Sequence, residues 1–417
     1  MAQILYDLRL YDCNGAFIYS LQDIISFTFN RKANDLGICT VTLTSTSYNI
    51  YDFNKDYRLE IYRHYNGKAK LIGDTCWFLR KYELDVGSQE ITLTFYDTIH
   101  LLTRRYAAWS GRLDPGYVTH MLEEYDSMMH LTMYYNYGQG TTSEILLADE
   151  LNTSVPNVNL TDLNGALLGT IASWQYLPYG SNVAALINRR MPIILPLPAA
   201  NSTIGGTEKF EHLSVLEVLQ NIANVSNLKG EKIYFDIVYS PATPSNDETF
   251  TFRTWVGLRG TDRTQPNNLY IVGPEYGNLI DGVVVKDWEK EATIAYMAGS
   301  GENETRIYAS AKRDELDNCP FYPIEIMGSE SFGEEGSGFH NPPEGISAAQ
   351  LLLAENAAIE TLTGTIINTD DLNFFENVKP YDVVIANYKD FQINVALDEY
   401  EVNVDNSGEE IKIPLGK

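Results

Sequence analysis

Histidines are the residues of this sequence best suited to acid–base or metal chemistry, and their spacing indicates neither. The six lie at His64, His100, His120, His130, His212 and His340. On a helix, side chains ten residues apart, such as those of His120 and His130, point about 80° away from each other, which is poor geometry for a shared metal. The sequence also lacks the GxSxG, Walker, GxGxxG and HExxH motifs. We therefore expect no enzyme activity, no cofactor and no bound metal.

The cysteines and the carboxylates likewise indicate neither a metal site nor a catalytic site. The four cysteines form no CxxC pair: Cys13, Cys39, Cys76 and Cys319. This spacing predicts free buried thiols, because zinc modules and disulfide scaffolds need closer or paired cysteines. The 56 Asp and Glu residues are too numerous for any one pair to indicate a glycosidase. Residues 314–318 are acidic but lack the glycine and the distal glutamate of an EF-hand loop, which disfavours a calcium site.

Arg104-Arg105 is the one basic pair in a notable position, since it follows a predicted strand and the apolar pair Leu101-Leu102. Two interpretations are open. The arginines either form the solvated end of a helix or belong to a subunit interface, where they meet the acid-rich half of a neighbouring chain.

Charge is distributed unevenly along the chain. The 417 residues include 30 Lys and Arg against 56 Asp and Glu, a net charge of −26. Residues 1–106 hold 12 basic and 12 acidic residues, whereas residues 314–417 hold 4 Lys against 21 Asp and Glu. Such acidity disfavours sequence-specific nucleic-acid binding and attachment to anionic membranes. No apolar run approaches ~18 residues and no basic leader is visible, so we expect neither membrane insertion nor export.

Strand signals dominate both ends of the chain. Residues 1–106 alternate apolar and polar side chains over about seven short strands, with turns at Asn14-Gly15, Asn66-Gly67 and Val86-Gly87-Ser88, which predicts a first β-barrel domain. Residues 107–230 form a helical and loop-rich insert, with helices expected after Asp114-Pro115 and after a Ser214–Glu217 capping box. Residues 231–417 return to strands and predict a second barrel-like domain with one helix at about 346–364.

Several short motifs resemble the hub proteins at the tail tip or baseplate of long-tailed phages, including the trimeric hub of contractile tails and of type VI secretion tips. The motifs, in chain order, are Gly37–Leu43, Leu71-Ile72-Gly73, Trp77–Tyr82, Gln89–Tyr96, Leu101–Arg105, Leu213–Leu228, Ile233–Tyr239, Ala298–Gly301 with Thr305-Arg306, Tyr381–Val384, and Ile413–Gly416. The sequence departs from the family where Tyr381-Asp382 replaces the usual Gly-Asp. Residues 131–210 match nothing in the family.

The resemblance implies a mainly β fold with a few helices and two small tube-type β-barrels per chain. A homotrimer would then form a ring that joins the tail tube to the tail tip, within a virion assembled in the host cytoplasm. The implied partners are a tail-tube or distal tail protein and a tail-tip, fibre or tape-measure protein. An acidic lumen would repel DNA and let the genome slide. The acidic residues expected there are Asp370, Asp371, Glu376, Asp398, Glu399 and Glu401.

A second hypothesis is a non-catalytic module that binds a host glycan or receptor. Its candidate contacts are Tyr134, Tyr135 and Tyr137 in the insert, because tyrosine rings stack on sugars. A glycan hydrolase is a third and weaker hypothesis, since no catalytic constellation supports it.

Overall fold

Strands dominate the described part of the chain, so the mainly β prediction is confirmed. The computed structural model describes residues 5–104, 130–134, 193–194, 207–211, 214–228, 231–302, 305–313, 324–330, 332–333, 341–367, 369, 373–389 and 391–416. Its three helices are α1 (His100–Thr103), α2 (Val215–Leu228) and α3 (Pro343–Glu355). None of them has the length and apolarity to cross a membrane.

The strands of the described residues are numbered in chain order. They are β1 (Leu5–Tyr11), β2 (Phe17–Ser20), β3 (Ile24–Lys32), β4 (Ile38–Thr44), β5 (Arg58–Tyr65), β6 (Lys68–Leu71), β7 (Trp77–Asp85), β8 (Glu90–Tyr96), β9 (His130–Tyr134), β10 (Ile193–Ile194), β11 (Thr207–Glu211), β12 (Ile233–Ser240), β13 (Thr249–Val256), β14 (Ile271–Val272), β15 (Leu279–Asp287), β16 (Ile294–Ala298), β17 (Tyr308–Lys312), β18 (Glu325–Ser329), β19 (Ile359–Ile366), β20 (Val383–Tyr388), β21 (Phe391–Ala396), β22 (Glu399–Asp405) and β23 (Gly408–Gly416).

The chain divides into two compact units. Unit 1 comprises Met1–Asn227, Glu231–Ile280 and Gly364–Pro414, and unit 2 comprises Leu228–Gly230, Asp281–Thr363 and Leu415–Lys417. The chain leaves unit 1 within β15 and returns to it within β19. The domain boundaries at residues 106 and 230 stay a prediction.

A long antiparallel sheet forms the main layer of unit 1. Its strand order is β23-β22-β3-β4-β8-β7-β5-β1-β2, with β6 paired to β5. The hairpins predicted from the Asn-Gly turns are confirmed: Asn66 and Gly67, between β5 and β6, have φ of 49° and 75°. Both central residues of this mirror-image turn need positive φ, which asparagine and glycine tolerate.

Residues 399–416 complete this sheet from the far end of the sequence. β22 pairs with β3, with Val402 opposite Phe29, and β23 pairs with β22. The core face of the sheet therefore combines side chains that lie more than 300 residues apart in the sequence.

None of the sheets formed by the described strands closes into a barrel, so the two expected barrels are corrected to open sheets. β1 and β5 are not paired with β23 by backbone hydrogen bonds. They contact β23 through side chains instead. Arg63 donates to both carboxylate oxygens of Glu409, over 2.9 and 3.0 Å, and the Tyr6 hydroxyl also donates to Glu409. The Arg63 and Glu409 side chains are 0% and 4% exposed.

A second layer of unit 1 is built from α2 and the sheet β10-β13-β12. The predicted capping box at the start of α2 is confirmed: the Ser214 amide donates to Glu217 over 2.6 Å, and the Glu217 amide donates to the Ser214 hydroxyl over 3.2 Å. α2 buries Val215, Val218 and Leu219 in a core that it shares with β12 and β13. Two smaller sheets, β9-β11 and β14-β20-β21, complete the strands of this unit.

Unit 2 contains a three-stranded sheet, β17-β16-β18, with α3 packed on one face. β16 and β17 pair in the antiparallel sense, with Met297 opposite Ala309. The predicted helix at 346–364 is wrong in its extent, because α3 begins at Pro343, a residue suited to a first helical turn, and ends at Glu355. Residues from Ile359 onward form β19, whose β-branched side chains favour a strand. The helix predicted after Asp114-Pro115 lies outside the described residues.

Replacing Glu409 with glutamine should destabilise unit 1 strongly. The change removes the negative charge that compensates buried Arg63, and breaking one side of a buried ion pair costs about 3–5 kcal/mol. Urea denaturation at neutral pH measures the free energy of unfolding. The matched control is Glu410→Gln in the same strand, because the Glu410 side chain is 52% exposed and its loss should cost less than about 0.5 kcal/mol. Equal losses in the two variants would contradict this role of the Arg63–Glu409 pair.

Candidate functional site

Small polar side chains cover the face of the unit 1 sheet that points away from its core. Strand side chains alternate between faces, so Val41 and Leu43 are buried while their neighbours Thr40 and Thr42 are half-buried on the other side. We call this surface the polar face. Its residues are Thr28, Asn30, Thr40, Thr42, Thr92, Thr94, Glu399, Glu401 and Asn403.

The strand register aligns these side chains in rows across the sheet. Asn403 lies opposite Thr28, Thr28 opposite Thr40, and Thr40 opposite Thr94. The Thr28 hydroxyl donates to the Asn403 side-chain oxygen over 2.6 Å, and the Asn403 amide nitrogen donates to Glu401 over 3.1 Å. The rows give a continuous surface of hydroxyl and amide groups with no charge at its centre.

Charged side chains flank the polar face on both sides. On the β7 side, Lys81 lies opposite Thr94 and Glu83 lies opposite Thr92, and the two form an ion pair over 2.8 Å. Glu399 is directly opposite Lys32 of β3, and Glu401 is directly opposite Lys412 of β23. Opposite charges at paired positions partly compensate each other. The nine residues of the polar face include no arginine, the side chain that binds phosphate in the bidentate manner.

Two further acidic residues predicted for a lumen, Asp398 and Glu376, are not on the polar face. Asp398 forms an ion pair with Lys232 and accepts a hydrogen bond from the Tyr234 hydroxyl over 3.1 Å. Glu376 lies 4.0 Å from the guanidinium of Arg63. Of the predicted set, the structure thus brings only Glu399 and Glu401 together on one surface. Asp370 and Asp371 lie outside the described residues.

Arg104 donates to Asp56 over 2.6 Å, and its guanidinium lies 5.5 Å from the centre of the Phe78 ring. Arg105 lies outside the described residues. Among the proposed receptor contacts, Tyr134 is the last residue of β9, opposite Thr207 of β11. Tyr135 and Tyr137 lie outside the described residues.

A buried ion network lies on the core side of β3, around Arg31. The Arg31 guanidinium donates to Asp97 over 3.1 Å, to both carboxylate oxygens of Asp236 over 2.9 and 3.0 Å, and to the Gly73 carbonyl over 2.6 Å. Arg259 forms a second ion pair with Asp236. The network therefore joins β3 and β12 to three loops of unit 1.

The two carboxylates of this network differ in charge. Burial would raise the pKa of Asp236, but the charges of Arg31 and Arg259 and their hydrogen bonds lower it below its usual value. Burial raises the pKa of Asp97 to about 7. The charge of Arg31 opposes this shift, and the charge of ionised Asp236 adds to it. Asp236 is the permanent anion, and Asp97 is the carboxylate that takes up a proton near neutral pH.

Tyr381 occupies the position where the resembled family has glycine, and its φ is 72°. This left-handed region favours glycine, so a tyrosine there is strained. Its ring lies 3.6 Å from the guanidinium of Arg259, a cation–π contact within the buried network. The contact with Arg259 is a stabilising interaction at this strained position.

Arg31 was not recognised from the sequence, although a signal was present. It follows Phe27 and Phe29 at two-residue spacing, so it occupies a core-facing position of β3, where a charge needs a buried partner. The partners Asp97 and Asp236 could not be assigned, because nothing local specifies them. Among the described residues, no group of three or more His, Cys, Asp or Glu side chains is placed to hold a metal ion.

The fold is similar to those of solved phage tail proteins. The 43 kDa tail protein of prophage MuSo2 from Shewanella oneidensis aligns with a TM-score of 0.52 at 8% identity, covering 98% of each chain. A tail protein from Neisseria meningitidis MC58 aligns with a TM-score of 0.50 at 11% identity, covering 99% of this chain and 96% of the other. A chain of the lidless PdpA–VgrG complex aligns with a TM-score of 0.50 at 9% identity, covering all of this chain and 65% of the other.

No family model matches the chain, and no curated protein matches it by sequence. The similarity is one of three-dimensional structure at low identity, and it extends over nearly the full length of both tail proteins. The chain therefore has the fold of these phage tail proteins.

The protonation of Asp97 should appear in the pH dependence of stability. Its folded-state pKa of about 7 exceeds the ordinary value of 3.8, so the folded chain binds the proton more tightly. The resulting stabilisation is complete below about pH 4 and is lost as pH rises through 7, at most about 1.4 kcal/mol per pH unit. We expect the stability of the wild type relative to Asp97→Asn to fall between pH 5 and 8 in urea denaturation. A difference independent of pH would contradict the assignment.

Proposed function

We propose that this chain is a structural, non-catalytic protein of a phage tail, three copies of which form a hub ring between the tail tube and the tail tip. The observation that supports this most strongly is the full-length similarity of its fold to two phage tail proteins. The protein would act within the virion. Its neighbours would be a tail-tube or distal tail protein on one side and a tip, fibre or tape-measure protein on the other.

In this proposal the polar face lines the passage through the ring. A surface over which DNA slides should be hydrated and should hold no fixed cations that bind phosphate. The polar face has threonine and asparagine at its centre, and the lysines that flank it, Lys32, Lys81 and Lys412, lie opposite or beside carboxylates. Its opposite side is the apolar core, so the polar side is the one that can face solvent.

The anionic part of the lining is smaller in this proposal than in the sequence-based hypothesis. Asp398 and Glu376 face Lys232 and Arg63, so their charges are compensated within the chain. Glu399 and Glu401 remain as the acidic groups of the lining. DNA would be kept from binding chiefly by the absence of arginine on the polar face, because Lys32 and Lys412 partly compensate these two carboxylates.

The first test is the mass of the purified chain in solution. Light scattering coupled to size-exclusion chromatography should give three times the 47.0 kDa chain mass at micromolar concentration. A species that remains one chain at all concentrations would contradict the hub proposal.

A charge reversal on the polar face should create DNA binding. The triple variant Glu399→Lys, Glu401→Lys and Thr40→Lys should bind a short DNA duplex at about 50 mM salt and release it at about 200 mM, because released counterions drive phosphate contacts. Fluorescence anisotropy measures the binding, and the wild type should show none.

The matched control places three lysines on exposed positions of unit 2, as Glu289→Lys, Glu344→Lys and Glu355→Lys. It changes the net charge at least as much but leaves the polar face intact. If the unit 2 control and the polar-face variant bind the duplex with equal affinity, net charge alone accounts for the binding. That result would contradict the proposal that the polar face lines the passage for DNA.

A further inference from the structure

Unit 1 carries a cluster of basic side chains around Asp56. Asp56 accepts hydrogen bonds on one oxygen from Arg80 over 2.9 Å and from Arg104 over 2.6 Å. The adjacent Lys55 is exposed, as is Arg80, whose side chain is 36% exposed. We call Lys55, Arg80 and Arg104 the basic cluster; Arg80 and Arg104 both contact the Asp56 carboxylate, and Lys55 precedes Asp56 in the sequence.

The arginines of the basic cluster affect the pKa of two neighbouring side chains, Asp56 and His100. Burial would raise the pKa of Asp56, but the hydrogen bonds and charges of Arg104 and Arg80 lower it below its usual value. Burial, followed by the charges of Arg104 and Arg80, lowers the pKa of His100 to about 4. The Asp56 shift reflects its ion pairs with the two arginines, whereas the His100 shift is caused mainly by burial.

Unit 2 carries the opposite charge. Residues 281–363 hold 5 Lys and Arg against 16 Asp and Glu, a net charge of −11. Two ion pairs within the unit, Lys286–Glu360 and Arg313–Glu291, engage two of these acids. Exposed carboxylates of this segment include Glu289, Glu302, Glu325, Glu330, Glu344 and Glu355.

Three acidic residues of the Gly364–Pro414 part of unit 1 already form ion pairs within that unit. Asp382 pairs with Arg263, Asp398 with Lys232 and Glu409 with Arg63, all within unit 1. Of the net charge of −26, residues 281–363 therefore contribute −11, with several exposed carboxylates that no ion pair within unit 2 engages.

We propose that the basic cluster of one copy receives carboxylates from residues 281–363 of a second copy. The proposal rests on the assembly described under Proposed function and adds to it which surfaces meet. Contact between different patches of identical chains is head-to-tail, the geometry that closes into rings. A second copy fits as the partner because its residues 281–363 carry a net charge of −11, opposite in sign to the basic cluster.

The test is carbodiimide coupling, which joins lysine amines to carboxylates in direct contact. The double variant Arg80→Lys and Arg104→Lys keeps both charges and makes them reactive. Unlabelled and ¹⁵N-labelled copies of this variant are mixed, allowed to exchange, coupled and digested for mass spectrometry. Mixed-isotope peptides joining residue 80 or 104 to a carboxylate of residues 281–363 are expected.

Coupling of residue 104 to Asp56 within one copy serves as an internal positive control. The matched control variant is Arg253→Lys, an exposed arginine of β13 that is not part of the basic cluster, which should give no mixed-isotope peptide with residues 281–363. If trimers form but residues 80 and 104 couple only within a copy or to other segments, this inference is overturned while the hub proposal stands. A wild-type chain that never assembles overturns both.

A second measurement uses charge reversal. Arg80→Glu with Arg104→Glu should weaken association of copies about tenfold or more and reduce its sensitivity to salt, as measured by light scattering. Circular dichroism melting shows whether the variant is folded, and the lysine double variant should associate like the wild type. Unchanged association in the folded variant, or a trimer in which the arginines instead bind a DNA duplex, would contradict the proposal.

Discussion

The charge of Arg31 must be compensated inside unit 1, and the arrangement of that unit depends on this requirement. Arg31 stands in the apolar row of β3, so its guanidinium has no access to water. Leaving such a group unpaired would cost several kcal/mol, so folding requires Asp97 and Asp236 to arrive with their segments in place. The position of β12 and of the loops around residues 97 and 259 is thus coupled to the position of β3.

The same strand presents the polar face on its other side. Because strand side chains alternate, fixing Arg31 toward the core also fixes Thr28 and Asn30 toward the surface. Pairing of β22 with β3 then places Glu399 and Glu401 beside them. The buried network and the polar face are consequences of one strand register, and a shift of one residue would destroy both.

Local patterns in the sequence predicted the mainly β composition, the Asn-Gly hairpins and the cap of α2, because each depends on neighbouring residues. The pairing of β22 with β3 was not predicted, since nothing near residue 400 specifies a partner near residue 29. For the same reason the lumen hypothesis included Asp398, whose carboxylate is engaged by Lys232. The helix at 346–364 was extended too far because Leu362 fits a helical period as well as a strand.

The proposed function requires that copies of this chain surround a passage lined by the polar face. A reconstruction of the purified particle by electron cryomicroscopy tests this most directly. We predict a ring with threefold symmetry whose inner wall contains the β3, β4, β8 and β22 strands, with Thr40 and Thr94 facing the channel. A ring with these threonines on its outer surface, or a particle without a central passage, would contradict the claim.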